Sequence, residues 1–154
     1  TEQSRDAILN RIRQLRPRIL TLVEPDSEHN ALPLLQRIPE AFRHYLIVFE
    51  ALDTLLADSP RARITLENAF FGREIINIVS AEGQARVERH ERSESWRKRL
   101  SDVGFQLIPI TKSAIRQGRQ ALNLSAPFAL RSNKGMVHLD FRGGSILATS
   151  AWAA

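Results

Sequence analysis

Two periods of apolar spacing alternate along the chain, and the switches between them mark its elements. Ile8, Leu9, Ile12 and Leu15 fall at helical spacing, so Glu2 to Leu15 reads as a short amphipathic helix that Pro17 stops. Arg18 to Glu24 is a short apolar run between Pro17 and Pro25, which suits a buried parallel strand. Ala31 to Ala57 predicts a long helix, with Pro33 in its first turn and a break or kink at Pro39. Its stripe of Phe42, Tyr45, Leu46, Phe49, Leu52, Leu55 and Leu56 is expected to face a core. Ile64 to Glu82 predicts another helix, with Leu66, Phe70, Ile75, Ile76 and Val79 inward and Gly83 as its C-cap. Ser93 or Ser95 begins the helix that carries Trp96 and Leu100, and Gly104 ends it. A second strand is expected at Phe105 to Ile110, and Thr111 caps a helix to about Asn123. Phe128 to Arg131, Met136 to Phe141 and Ile146 to Trp152 read as strands joined by turns at Asn133-Lys-Gly135 and Arg142-Gly-Gly144. This order predicts an α/β fold: a mostly parallel sheet, helices on both faces, and a final antiparallel strand reached by a tight turn.

Composition narrows the chemistry. The 154 residues contain no cysteine, which removes disulfides, Cys-ligated metals and thiol nucleophiles. No apolar run approaches the roughly 20 residues of a membrane span. The net charge is +5, and 12 of the 22 basic residues lie after Asn77. Much of that excess sits in Arg86 to Arg99, where Glu88, Glu91 and Glu94 are interleaved with the arginines. Mixed-sign runs of this kind are solvated, ion-paired faces more often than nucleic-acid grooves. With only 6% aromatic residues there is no base-stacking platform, so direct nucleic-acid binding is not expected. His29, His44, His90 and His138 are far apart in sequence, and no metal site is expected.

Several strings, taken in order, resemble the C-terminal half of the GRAS domain family, the plant transcriptional regulators with smaller bacterial relatives. Thr21-Leu-Val-Glu-Pro-Asp-Ser-Glu-His-Asn30 resembles the family's V-V-E-Q-E-x-N-H-N segment. Phe42-Arg-His-Tyr45 and Phe49-Glu-Ala-Leu52 resemble its L-H-Y-Y…L-F-D-S-L stretch. Gly72-Arg-Glu-Ile-Ile-Asn-Ile-Val79, Glu82-Gly83 and Arg86-Val-Glu-Arg-His-Glu91 resemble the rest of its PFYRE region. Trp96 and Gly104 keep the W-x7-G spacing of the SAW region, and Ser150-Ala-Trp152 is similar to the motif that names it. The departures are Phe141 where the family has Trp, Ser80-Ala81 where it has Ala-Cys, and Pro25 where it has Gln.

The resemblance implies a PFYRE-like region over residues 1–91 and a SAW-like region over 92–154, together about half a GRAS domain. It implies the second half of a Rossmann-like methyltransferase fold, with the cofactor-binding half N-terminal to Thr1. On that expectation the full-length protein is an S-adenosylmethionine-dependent methyltransferase of a small molecule, and this portion alone binds no cofactor and is inactive. The alternative is a non-enzymatic regulator acting through protein partners. The location implied is cytoplasmic, or nuclear for a plant-type regulator. An isolated half would leave the Arg18–Glu24 strand as an unpaired apolar edge, and poor solubility or oligomerisation is expected.

Glu24-Pro-Asp26 lies just past the end of the first predicted strand, where open α/β sheets bind ligands. One reading places Glu24 as a catalytic base or hydrogen-bond acceptor, with Asp26, His29, Asn30 and Tyr45 lining a substrate cleft. The other has Asp26 or Ser27 capping the next helix and the rest solvated. Arg86, Glu88, Arg89 and Glu91 read as an ion-pair cluster that fixes a loop. Trp96, Gly104, Ser150 and Trp152 read as structural motif residues that anchor a helix and the final strand.

Overall fold

The last strand, β5 (Gly144–Ala153), organises the sheet in this computed structural model, which describes residues 2–154. On one side β5 pairs with β1 (Leu20–Pro25). On the other it pairs with β4 (Met136–Phe141) and, further along, with β2 (Gln106–Ile108). β3 (Phe128–Asn133) completes the order β1-β5-β4-β3. Every pairing is antiparallel, so the expected mostly parallel sheet is corrected. β1 and β2 do run in one direction, because each pairs antiparallel with β5. They are not neighbours, because the ten-residue β5 lies between them. Turns with positive φ at Lys134-Gly135 (48° and 85°) and Arg142-Gly143 (48° and 83°) close β3, β4 and β5 into successive hairpins.

The chain divides into two compact units, residues 2–26 with Arg92–Ala154, and Ser27–Glu91. In the first, α1 (Glu2–Gln14) and α5 (Ser93–Val103) pack on the sheet face that carries Leu20, Leu22 and Trp152. Leu9, Leu100, Phe105 and Trp152 form the core, with Leu100 and Trp152 fully buried. Gly104 ends α5 at φ +96°, and a Cβ there would lie 3.0 Å from the Arg13 guanidinium carbon. Thr111 caps α6 (Lys112–Ala121) as expected, accepting from the Ala114 amide at 3.1 Å. Val23, on the opposite face of the edge strand β1, is 56% exposed.

The second unit contains α2 (Leu34–Leu55), α3 (Pro60–Thr65), a π-helical stretch at Leu66–Phe71 and α4 (Gly72–Ser80). α2 continues through Pro39. The single helix expected over Ile64 to Glu82 is corrected. A π turn closes its hydrogen bonds one residue later than an α turn, so it rotates the following side chains. Leu66, Phe70 and Ile76, expected inside, are exposed, and Ile78 takes the fully buried position. Ala41, Tyr45 and Ile78 form the core, with Phe49, Phe71, Ile75 and Val79 around them.

α2 divides the stripe expected on it: Tyr45 and Phe49 face the core, whereas Phe42, Leu46 and Leu55 are exposed. Its buried stripe holds Arg37, Glu40 and His44 beside Ala41, Tyr45, Val48 and Ala51. Leu35, Ile38, Phe42 and Leu46 make the outward stripe, with Leu35 and Phe42 exposed by 85% and 70%. The buried polar groups all have partners: Arg37 Nε donates to the Ile78 carbonyl at 2.8 Å, Nη1 to the Leu32 carbonyl at 3.0 Å, and Nη2 to Glu82. That pairing is what lets a polar face go inside.

Candidate functional site

The residues expected to line one cleft fall into two units. In the first, Glu24 lies half-exposed on β1 opposite Ala148. Asp26 follows at the strand end, buried, with its amide donating to the Ile146 carbonyl at 3.2 Å. Asp26 does cap a helix, but not the next one. Its Oδ1 accepts from the Ser93 amide at 2.9 Å, at the start of α5, which has no side-chain cap of its own at Arg92. A carboxylate there also meets the positive end of the helix dipole. Asp26 Oδ2 lies 3.1 Å from His138 Nδ1, which is also 3.1 Å from Ser145 Oγ. Burial pushes the Asp26 carboxyl up. The His138 bond, the Ser93 amide, the His138 charge and Ser145 together outweigh burial and hold it far below the usual carboxylate range. His138 and Ser145 were not visible as partners in the sequence, lying 112 and 119 residues away.

The remaining expected residues of the first unit are structural in position. Trp152 Nε1 donates to Ser150 Oγ at 2.8 Å inside the core. Arg5 and Arg99 lie over the Trp96 ring at 5.5 and 5.8 Å.

In the second unit, Ser27, His29, Glu40, His44 and His90 form a buried polar cluster. Ser27 Oγ donates to Glu40 Oε1 at 3.1 Å and lies 2.9 Å from His29 Nε2. His29 Nδ1 faces His90 Nδ1 at 3.1 Å. The His44 ring is edge-on to His29 at 5.8 Å, and Tyr45 stacks on His29 at 6.1 Å. Asn30 is half-buried and donates to Glu91 Oε1 at 2.6 Å. Arg86 donates to the His29 and Asn30 carbonyls, and Arg89 to the Arg86 and Gly83 carbonyls and Asn30 Oδ1. The His29 and Asn30 amides both donate to the His90 carbonyl, at 2.9 and 3.1 Å. Arg86 to Glu91 thus holds the segment that carries His29 and Asn30. The sequence offered one signal for part of this: Arg37, Glu40 and His44 share a helical face with Ala41, Tyr45 and Val48.

Tyr45 donates to Glu74 Oε2 at 2.9 Å. Burial, then the Glu74 charge and hydrogen bond, push the Tyr45 hydroxyl up. Burial also pushes the Glu74 carboxyl up, against the Tyr45 bond, and the Glu88 charge adds to the rise. Glu74 and Glu88 lie on a cleft of about 550 Å³ with Phe70, Arg73, Ile76 and Val87. Among the described residues, no group of three or more His, Asp or Glu side chains is arranged to hold a metal. No helix among them is long and apolar enough to cross a membrane.

Comparison with known proteins agrees with the motif order. The sequence profile of the GRAS domain family matches residues 1–153. GRAS family protein RAD1 of Lotus japonicus is 37% identical over 150 residues, covering 96% of this chain and 29% of that protein. Scarecrow-like protein 5 of Arabidopsis thaliana is 33% identical over 152 residues, covering 98% of this chain and 26% of that protein. The crystal structure of SCL7 of Oryza sativa superposes with a TM-score of 0.90 at 25% identity, covering 99% of this chain and 43% of that one. The chain therefore spans under a third of the length of these curated relatives and under half of the solved structure. It belongs to the GRAS domain family.

Proposed function

We propose that this chain is part of a GRAS-type transcriptional regulator that acts through protein–protein contacts and not through small-molecule catalysis. One observation carries the reading. Asp26, His29 and Asn30, expected to line a substrate cleft, are tied into hydrogen bonds within their own units. A residue that holds two segments together cannot also turn to a substrate without breaking a buried network. One relative is named Chitin-inducible gibberellin-responsive protein 2 of Oryza sativa subsp. japonica, a name that describes a response and no reaction.

S-adenosylmethionine chemistry is the second reading, favoured by the position of Glu24 beside the end of β1. On that reading the preceding half of the domain would hold the cofactor, and the bonded loop Asp26-Ser27-Glu28-His29 bears only on the acceptor side. Isothermal titration of the full-length protein with S-adenosylmethionine separates the readings. The regulator reading expects no binding heat and no rise in melting temperature. A saturable heat with a rise in melting temperature overturns it. A reporter assay with the full-length protein fused to a heterologous DNA-binding domain supplies the positive arm, and an unchanged reporter counts against regulation.

A further inference from the structure

The contact between His29 and His90 joins two nitrogens of the same type at 3.1 Å, so one must donate and the other accept. The rest of the chain decides which. Glu40 accepts from Arg43, from the Glu28 amide at 3.2 Å and from Ser27 Oγ at 3.1 Å. With its own proton directed at Glu40, Ser27 Oγ accepts from His29 Nε2 at 2.9 Å. His29 therefore carries its proton on Nε2 and presents a lone pair at Nδ1. The proton on the line between the rings belongs to His90. The other nitrogen of His90, Nε2, lies 3.6 Å from Glu88 Oε2, so a second proton on His90 is placed against a carboxylate.

We propose that His29 and His90 form a one-proton latch between residues 27–30 and 86–91, with His90 as the ring that titrates. The first added proton enters at His90 Nε2 and keeps the latch intact. A further proton, on His29 Nδ1, puts two N–H groups head to head and breaks it. The surroundings oppose that second charge. His44 faces both rings, at 5.8 and 6.4 Å, and Arg86 donates to the His29 carbonyl. From α2, Glu40 is neutralised by Arg43, and Tyr45, stacked on His29, is turned to Glu74 on α4. On the 86–91 segment, Arg89 and Glu91 bind Asn30, and Glu88 faces His90. Glu28 turns its carboxylate to the Asn30 and Ala31 amides.

The latch has a consequence at the surface and goes beyond the regulator reading. Glu88 also lines the 550 Å³ cleft beside Glu74. While His90 is cationic, Glu88 is compensated. When His90 loses its Nε2 proton, the net charge beside the cleft falls by one. Proton binding near neutral pH, where histidine ordinarily titrates, thereby sets the charge this face offers to a partner.

Long-range proton–nitrogen correlation spectra of histidine-labelled full-length protein, recorded across pH, test the latch. The expected result is His29 as the Nε2–H tautomer at neutral pH, with His90 titrating first. Glu88→Gln is expected to move the His90 midpoint down by about one pH unit, a tenfold loss of proton affinity. At the pH where His29 also protonates, exchange protection of the His29 and Asn30 amides is expected to be lost. His29 found as the Nδ1–H tautomer, both rings titrating independently with no response to Glu88→Gln, or amide protection surviving double protonation would each overturn the proposal.

Discussion

Trp152→Ala tests whether the C-terminal motif is a packing anchor. The indole is fully buried among Leu9, Leu100 and Phe105, and its Nε1 donates to Ser150 Oγ at 2.8 Å. A buried aromatic ring removes about 150–250 Å² from water, roughly 4–6 kcal/mol at about 25 cal/mol per Å². Measured Trp→Ala losses in cores are about 3–5 kcal/mol. Ser150 Oγ, itself buried, also loses its donor, which adds about 1 kcal/mol. The expected cost is therefore about 4–6 kcal/mol, a large part of the roughly 5–15 kcal/mol that holds a domain together. Trp152→Phe keeps a ring and loses the hydrogen bond, and about 1–2 kcal/mol is expected. Urea unfolding followed by circular dichroism measures both. A Trp152→Ala cost below about 1 kcal/mol would mean that the site collapses around the gap. The assignment of Trp152 as the anchor of the sheet to α1 and α5 would then be wrong.

Other outcomes follow from the same structure. The folded Asp26 carboxyl lies well below its unfolded value of about 3.9, so its stabilisation is present above that pH and is lost as pH falls toward the folded value. Asp26→Asn should lower stability at pH 7 and flatten the acid limb of a stability–pH curve from urea titrations. The Glu74 carboxyl is raised, so its contribution is present below the unfolded value of about 4.3 and lost as pH rises through the folded one. Glu74→Gln keeps an acceptor for Tyr45, and should match or exceed the parent's stability at pH 7 while losing that advantage near pH 4 in paired unfolding curves. The outward stripe of Leu35, Ile38, Phe42 and Leu46, with the edge strand β1, predicts that the isolated chain self-associates. A sharp monomer peak by light scattering at high concentration would refute that.

Element types were mostly legible because their signals are local. The pairs of positive φ at Lys134-Gly135 and Arg142-Gly143, the Thr111 cap and the Gly104 stop each depend on a few neighbouring residues. Strand direction was not legible, because nothing local in Arg18 to Glu24 shows that β5, more than 100 residues later, becomes its neighbour. The N-terminal part of the buried face of α2 is hidden for a related reason, although Tyr45 and Phe49 do pack inward. Periodicity ranks Phe42 and Leu46 above Arg37 and Glu40 for burial, but Arg37 finds the Ile78 carbonyl and Glu82, and Glu40 finds Ser27 and Arg43. A buried polar residue with a full set of partners leaves no trace in a hydrophobicity pattern. The candidate site shows the same limit. Glu24, Asp26, His29 and Asn30 were picked out as a group, whereas their partners Ser93, His138, His90 and Glu91 lie 61 residues or more away.

The most direct test is calorimetric titration of the full-length protein with S-adenosylmethionine, alongside its melting temperature at saturating cofactor. If the protein is a non-enzymatic regulator, no heat and no thermal shift will be seen. A saturable one-site heat with a thermal shift would contradict the account and return the protein to catalysis.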